Sequence, residues 1–250
     1  MTEPAPQATR CSGDQPCRGG RIGFFGGSFD PPHLGHLAVA RAARDALRLD
    51  RVLFAPVGAQ PLKPEGATAP FSDRYAMTEL AIAGEPGFEI SLLDAPGTSG
   101  KPNYTLETLR ALRGGLPAEG CLFCLMGADS FASLQRWHGA AEVPFTAALI
   151  VASRPGQQLD DLAKFLPRGL ALEARKHDPG RETCGNVDLR CYLVRNAGGE
   201  AAPFYLLPDL DVEISASEIR NQIRSATESP ATGSLPGPVA EYIRAHRLYR

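Results

Sequence analysis

The chain has 250 residues, 43% hydrophobic and 22% charged, which is ordinary for a globular protein and excludes an intrinsically disordered chain. Its 26 Lys and Arg residues nearly balance 28 Asp and Glu residues, and the net charge of −2 argues against a general nucleic-acid-binding or membrane-binding surface. No apolar run approaches the ~20 residues that cross a bilayer, and no signal peptide is evident, so we expect a cytoplasmic protein without nucleic-acid or membrane partners.

Along the chain, a tail precedes an alternation of two kinds of segment. Residues 1–20 are rich in Pro, Gly and small polar residues and lack hydrophobic periodicity, which predicts a disordered tail. Short apolar runs predict strands at residues 21–26, 52–57, 88–93, 121–126, 147–152 and 204–207. Amphipathic stretches predict helices at residues 36–49, 73–83 (with Ser72 as N-cap), 106–113, 130–137 and 157–166. Strand followed by helix, repeated, predicts an α/β fold with a Rossmann-like, doubly wound, mostly parallel sheet.

The later part of the chain is less regular. Residues 171–176 could be the end of a helix, and the mixture of Gly, Asn and charged residues that follows predicts an insertion over residues 170–200. Residues 215–224 and 238–247 predict two further helices, so we expect a C-terminal helical segment over residues 214–250. One core is the default for a chain of this length, and we predict a single domain from residue 21 to residue 250.

Two cysteines have a spacing that occurs in metal sites. Cys121 and Cys124 form a C-x-x-C pair, but they lie inside the apolar run of residues 121–126. A zinc site would need a second ligand pair, and Cys184 and Cys191 are loosely spaced. We therefore expect buried strand cysteines and assign no residue as a metal ligand.

The strongest feature is the segment Gly26-Gly-Ser-Phe-Asp-Pro-Pro-His-Leu-Gly-His36, which follows the first predicted strand and leads into a helix. In parallel sheets, ligands bind beyond the carboxyl ends of strands, where helix N-termini offer N–H groups to phosphates. His33 and His36 are three residues apart, so both can face one phosphate group. The alternative is that one histidine caps the helix and the other packs in the core. The glycine-rich frame around them favours the phosphate site.

This segment resembles the His-x-Gly-His signature of the nucleotidylyltransferase superfamily. The segment Ile214-Ser-Ala-Ser-Glu-Ile-Arg220 is similar to the superfamily's second element, which binds ATP phosphates. Ser215 and Glu218 also match a capping box, which is a structural alternative for both residues. A structural role explains Arg220 less easily, because its planar guanidinium suits bidentate contact with a polyphosphate.

Interior segments narrow the resemblance to the nicotinate-nucleotide adenylyltransferase family over residues 21–250. Residues 102–108 are similar to the family's Ser-Tyr-Thr segment, and residues 153–156 to its Arg-Pro-Gly turn. Residues 127–131 and Trp137 are similar to its Gly-x-Asp stretch and nicotinate-facing Trp. Two departures stand out, because the family's His in its Pro-Pro-His-Lys loop is Leu62 here, and a common Tyr is His138.

The resemblance implies that the 5′-phosphate of nicotinate mononucleotide attacks the α-phosphorus of ATP, which releases pyrophosphate and forms deamido-NAD in NAD biosynthesis. Magnesium is the implied cofactor and would be bound together with ATP. The implied catalytic residues are His33, His36, Lys63 and Arg220. The implied ATP-binding residues are Gly26, Gly27, Ser28, Phe29, His33, His36, Gly127, Asp129, Ile214, Ser215 and Arg220. The implied acceptor-binding residues are Asp30, Tyr104, Thr105, Trp137 and Arg154.

Several alternatives remain open at this point. Trp137 could be a core residue and Asp129 a helix cap. The acceptor could be nicotinamide mononucleotide or phosphopantetheine, although Thr is usual at the position of His33 in enzymes that use the latter. A non-catalytic ATP-binding sensor and a tRNA synthetase are further alternatives, and the oligomeric state, including a homo-oligomer, is not fixed by the sequence.

Overall fold

The computed structural model describes residues 19–62, 65–98, 100–153, 162–174, 182–184, 187–207, 210, 214–225 and 233–250. Most of the predicted tail and residues 157–161 of the predicted helix at residues 157–166 lie outside these residues, and residues 162–163 are helical. No helix in the described part of the chain is long and apolar enough to cross a membrane.

Nine strands are found in the described residues, and most of them are parallel. They are β1 (Arg21–Gly27), β2 (Arg51–Pro56), β3 (Phe88–Ile90), β4 (Cys121–Gly127), β5 (Ala148–Ala152), β6 (Leu170–Ala174), β7 (Glu182–Cys184), β8 (Val187–Asn196) and β9 (Ala201–Leu207). The sheet has the order β3–β2–β1–β4–β5–β9–β8–β6, and β7 pairs with β8. The strands from β3 to β9 in this order are parallel, whereas β8 is antiparallel to β6, β7 and β9. The predicted α/β fold with a doubly wound, mostly parallel sheet is confirmed.

Seven α-helices that lie wholly within the described residues connect or follow these strands. They are α1 (Leu34–Leu47), α2 (Phe71–Ile82), α3 (Thr105–Gly115), α4 (Ala128–Ala132), α5 (Val143–Thr146), α6 (Ala216–Ser225) and α7 (Gly237–Ala245). The predicted N-cap Ser72 is wrong, because α2 begins one residue earlier and is preceded by Pro70. The single helix predicted at residues 130–137 is instead α4 followed by a 3₁₀ turn over Leu134–Arg136.

The central strands are buried because both faces of the sheet are covered. Adjacent residues of a strand point to opposite faces, so Phe24 packs on one side of β1 and Phe25 on the other. The face with Phe25 contacts the alanine-rich side of α1, and the face with Phe24 contacts Leu106 and Leu109 of α3. Residues of α2, α6 and α7 form a third apolar cluster beside the sheet. Cys121 and Cys124 are buried in β4, as expected.

The region of residues 170–200 differs from the expectation. The helix end proposed for residues 171–176 is wrong, because residues 170–174 form β6, and β8 continues the sheet from β9. A tight turn joins β8 to β9, in which the Gly199 N–H donates to the Asn196 carbonyl at 3.0 Å and Gly199 has φ +85°. The Asn-Ala-Gly-Gly sequence at residues 196–199 is a hairpin signal that explains this antiparallel pairing.

Candidate active site

A cavity of about 1030 Å³ lies at the carboxyl ends of the central parallel strands. β1 ends there at Gly27 and β4 at Gly127, and its lining continues to Ser153 after β5. The chain leaves β1 for β2 on one side, while β4 lies on the other, so the cavity is at the point where the strand order reverses. The first turns of α1 and α6 also line it. Both helix N-termini are suited to bind anions.

Most of the residues predicted for the site line this one cavity. Lys63 and Arg154 lie outside the described residues, so their predicted roles stay predictions. The predicted residues that line the cavity are Gly26, Gly27, Ser28, Phe29, Asp30, His33, His36, Tyr104, Thr105, Gly127, Asp129, Trp137, Ile214, Ser215 and Arg220.

The two histidines of the first motif form a stacked pair at the start of α1. Their ring centroids are 3.7 Å apart, and His33 is the N-cap residue of the helix. The main-chain N–H of His33 donates to Nδ1 of His36 at 3.2 Å. Since Nδ1 of His36 accepts a hydrogen bond, the neutral ring carries its proton on Nε2. Helix capping and a place in the cavity are therefore both properties of this pair, and not alternatives.

Burial keeps both imidazoles neutral in the free protein. It lowers the pKa of His33 to about 4, and it lowers the pKa of His36 well below its ordinary value, with a further decrease from the charge of His33. Two imidazolium rings at stacking distance would also repel each other. Near neutral pH the pair can therefore act through neutral ring N–H donors, and an approaching polyanion would favour protonation.

The low pKa of His33 predicts a loss of stability in acid. An unfolded chain takes up a proton near pH 6.5, whereas folded His33 does so near pH 4, so stability present at neutral pH is lost as pH falls between these values. The difference between a pKa of 6.5 and a pKa of about 4 corresponds to roughly 3 kcal/mol of stability. We expect His33→Asn, which keeps a good N-cap, to reduce the fall in unfolding free energy between neutral pH and about pH 4.5.

Urea unfolding at both pH values measures this effect. The matched control is His246→Asn, because His246 is exposed after α7 and does not line the cavity. An equal fall in unfolding free energy for wild type and His33→Asn would contradict the burial argument.

Asp30 and Arg220 join the two motifs. The Asp30 carboxylate is buried, and it accepts hydrogen bonds from the main-chain N–H groups of Thr68 at 2.6 Å and Ala69 at 3.1 Å and from the hydroxyl of Tyr249 at 2.7 Å. Arg220 donates from Nη1 to the main-chain oxygen of Asp30 at 2.7 Å. Protein donors thus hold the Asp30 side chain, and its predicted contact with the acceptor stays a prediction.

An aromatic part of the cavity lies around the start of α3. Thr105 is the first residue of the helix, and Tyr104 is its N-cap. Trp137 is half-buried, donates from Nε1 to Ser133 Oγ at 3.1 Å, and packs against the core as well as lining the cavity. The ring of His138 lies 4.5 Å from that of Tyr104. These residues offer flat apolar surfaces and hydrogen-bonding groups suited to a planar ring that carries a polar substituent.

Asp94 and Asn103 are site residues that the sequence reasoning missed. Asp94 is buried, accepts a hydrogen bond from the Thr108 hydroxyl, and has its pKa raised by burial. Asn103 joins the loop before α3 to the loop after β2, because it accepts from the Ala59 N–H at 3.0 Å and donates to the Ala95 carbonyl at 3.1 Å. Both lie in irregular segments, where hydrophobic periodicity carries no signal.

Gly26 illustrates how closely this region is packed. A Cβ at Gly26 would lie 2.9 Å from the ring of Phe24 and 3.5 Å from Oδ2 of Asp94. The first contact is shorter than real Cβ atoms show. Glycine is therefore required here because a core ring occupies the space that a side chain would need.

Comparisons with known proteins agree with this fold. Residues 24–222 match the cytidylyltransferase-like family, and the chain belongs to this family. A relative from Pelobacter propionicus, named a probable nicotinate-nucleotide adenylyltransferase, is 36% identical over 231 residues, which cover 92% of this chain and 98% of that protein. A relative of the same name from a Roseiflexus species is 39% identical over 234 residues, with 92% and 98% covered.

Solved structures share the architecture. The nicotinic acid mononucleotide adenylyltransferase of Plasmodium falciparum, in complex with NaAD, has a TM-score of 0.62 to this chain at 15% sequence identity. The match covers 92% of this chain and 97% of that chain. At this identity the structural likeness supports the fold alone. The similarity to nicotinate-nucleotide adenylyltransferases rests on the relatives that are more than 30% identical. The resemblance to nicotinate-nucleotide adenylyltransferases stated from the motifs is confirmed.

Proposed function

We propose that the protein transfers the adenylyl group of ATP to nicotinate mononucleotide, forming deamido-NAD and pyrophosphate in NAD biosynthesis. The observation that carries this proposal is that one cavity contains the stacked pair of His33 and His36, Arg220 of the second motif, and the aromatic surface of Trp137. The relatives that match nearly the whole chain are named for this reaction. A phosphate-binding end and an aromatic end in one cavity fit its two substrates.

The reaction needs positioning and charge stabilisation more than acid–base chemistry. The attacking 5′-phosphate is already anionic, so it can attack the α-phosphorus in line without a general base and without a covalent enzyme intermediate. The bond to the β-phosphate breaks as the new bond forms, and pyrophosphate leaves with the electron pair. The Nε2–H of His36 and the guanidinium of Arg220 would stabilise the negative charge on the phosphate oxygens.

We propose that magnesium enters this site together with ATP. Mg²⁺ prefers oxygen ligands and usually keeps several waters while it binds substrate phosphates. Asp94, Asp129 and Glu218 line the cavity, but the described residues contain no group of three or more His, Cys, Asp or Glu side chains arranged to hold a metal ion. ATP phosphates and water would therefore supply most of its ligands. When bound, the ion would neutralise charge on the phosphates.

Trp137 offers a prediction about the acceptor. If its indole stacks on the pyridine ring, Trp137→Ala should raise the KM for nicotinate mononucleotide about tenfold, because stacking on an aromatic ring is worth roughly 1–3 kcal/mol. The KM for ATP should change less than threefold, and Trp137→Phe should recover most of the loss. Steady-state kinetics with each substrate varied in turn measures both constants. Equal increases in the two KM values would contradict a stacking role.

The test of the proposed function compares acceptors. Purified protein, ATP and magnesium are incubated with nicotinate mononucleotide, nicotinamide mononucleotide or phosphopantetheine, and pyrophosphate and adenylylated product are quantified. We expect preferential turnover of the nicotinate form. Preferential turnover of another acceptor would reassign the substrate, and ATP binding without turnover of any acceptor would support a non-catalytic sensor.

We also propose a cytoplasmic location, and the small net charge of the chain supports the expectation of no nucleic-acid or membrane partner. There the protein would act on free ATP and a free mononucleotide and would need no nucleic-acid or membrane partner. A homo-oligomer is compatible with this function.

A further inference from the structure

A buried polar cluster lies behind the phosphate-binding part of the cavity. Its centre is the Asp30 carboxylate, which is 5% exposed, and the side chain that reaches it from the segment after α7 is Tyr249, which is 6% exposed. The Tyr249 hydroxyl donates to Oδ1 of Asp30 at 2.7 Å. Burial and the neighbouring carboxylate raise the pKa of Tyr249, so its hydroxyl stays a proton donor throughout the range in which enzymes work.

Neutral donors, and not cations, make the close hydrogen bonds to this carboxylate. The main-chain N–H of Thr68 donates to Oδ2, and that of Ala69 donates to Oδ1 beside the Tyr249 hydroxyl. Two guanidinium groups lie nearby, but neither donates a close hydrogen bond to the carboxylate. Arg74 donates to the carbonyls of Ala69 and Ser28, and Arg220 donates from Nη1 to the carbonyl of Asp30 and from Nη2 to Ser217 Oγ at 3.1 Å. The Nη1 atom of Arg220 is 3.9 Å from Oδ2 of Asp30.

This arrangement decides where Arg220 can point. A guanidinium that hydrogen-bonds directly to a carboxylate forms a strong, often bidentate pair, and such a pair with Asp30 would use the groups that a polyphosphate needs. Arg220 lines the cavity, its Nε is buried without a hydrogen-bond partner among the described residues, and its side chain is 19% exposed. Because neutral donors already hydrogen-bond to both Asp30 carboxylate oxygens, the electrostatic attraction between this carboxylate and the Arg220 guanidinium is weakened.

We infer that Tyr249 is a positioning residue for Arg220. By donating to Asp30, its hydroxyl keeps that carboxylate from capturing the Arg220 guanidinium, which therefore remains available to the phosphates of ATP. This inference rests on the proposed function, because it takes the cavity around Arg220 to be the site for ATP. The Leu248 N–H donates to the Ile243 carbonyl at 3.1 Å, which fixes the segment that carries Tyr249 against α7.

The simpler role for Tyr249 is packing, since its ring belongs to the apolar cluster with Ile219 and Ile243. Tyr249→Phe keeps the ring and removes only the hydroxyl. The matched control is Tyr242→Phe, because Tyr242 also donates to a carboxylate, Asp73 Oδ1 at 2.9 Å, and does not line the cavity. If the Tyr249 hydroxyl were merely structural, Tyr249→Phe would lower stability, as Tyr242→Phe would, and neither variant would show a selective loss of ATP binding.

The experiment measures binding of a non-hydrolysable ATP analogue with magnesium by calorimetry, and then the kinetic constants. We expect Tyr249→Phe to weaken binding of the analogue and to raise the KM for ATP about tenfold, with the KM for nicotinate mononucleotide changed less than twofold. Tyr242→Phe should match wild type in all three constants. Unchanged analogue binding in a folded Tyr249→Phe variant, or equal effects on both substrates, would overturn the inference.

A second background keeps the test decisive if Tyr249→Phe alone does not fold. In Asp30→Asn the charge that would capture Arg220 is removed, so adding Tyr249→Phe should leave analogue binding unchanged relative to Asp30→Asn alone. A further tenfold loss in this background would overturn the inference. Because calorimetry needs no acceptor, failure of the protein to use nicotinate mononucleotide would be distinguished from failure of the positioning role.

Discussion

His36→Ala is expected to lower the turnover of adenylyl transfer by ~10²–10³, because loss of one preorganised donor to developing charge typically costs this much. The ring of His36 lies in the cavity, its Nδ1 is occupied by the His33 main-chain N–H, and its remaining N–H is free to face a phosphate. Steady-state rates of pyrophosphate release measure the effect. A variant that keeps more than about a tenth of wild-type turnover would contradict the role, because it corresponds to less than ~1.4 kcal/mol of transition-state stabilisation.

Stability must be followed in the same variant, because the His36 ring also contacts Phe29 at a centroid distance of 4.9 Å. A loss of packing would lower the melting temperature and the fraction of folded protein, whereas a loss of charge stabilisation lowers the rate per folded molecule. His246→Ala is the matched control. His246 stacks on Tyr242 at 3.8 Å but does not line the cavity, so its removal costs a ring contact and should leave turnover unchanged.

The second large effect is expected at Arg220. Arg220→Met keeps the aliphatic part of the side chain but removes the guanidinium, and we expect kcat/KM for ATP to fall roughly 10²-fold, as for other charge-stabilising donors. Arg220→Lys should recover part of this loss, since it restores the charge but not the planar pair of donors. Kinetics with ATP varied at saturating acceptor measures the change.

The control for Arg220 lies one helical turn further along α6. Arg224 is exposed and, within the described part of the chain, makes one weak contact, from Nη1 to Asn221 Oδ1 at 3.5 Å. Arg224→Met removes the same charge from the same helix, at a residue that does not line the cavity. We therefore expect kcat/KM for ATP close to that of the wild type. A comparable loss in both variants would point to the net charge of α6, and would contradict a specific role for Arg220.

The central sheet was predictable because its strands are buried on both faces. The continuous apolar runs of β1, β4 and β5 are typical of strands that are buried on both faces of a sheet. Each strand ends in a glycine or alanine at the cavity. The strands β6 and β8 escaped prediction. β6 has exposed positions at Ala171, Glu173 and Ala174, and its identity depends on pairing with β8, which includes a cross-strand ion pair between Arg195 and Glu173.

The site was predictable where a short segment carries the chemistry by itself. The segments around His33, Thr105 and Arg220 are separated along the chain, yet all three line one cavity. Residues that act through distant partners could not be found in this way. Tyr249 meets Asp30 across 219 residues of sequence, and nothing in the sequence around Tyr249 indicates that contact.

The most direct test of the central claim follows each phosphorus atom of ATP through the reaction. The protein is incubated with magnesium, nicotinate mononucleotide and ATP radiolabelled at either the α- or the γ-phosphorus, and the products are separated by chromatography. Attack at the α-phosphorus predicts that the α-label appears in the dinucleotide and the γ-label in pyrophosphate. Transfer of the γ-label to the mononucleotide, or its release as orthophosphate, would contradict adenylyl transfer as the function of this site.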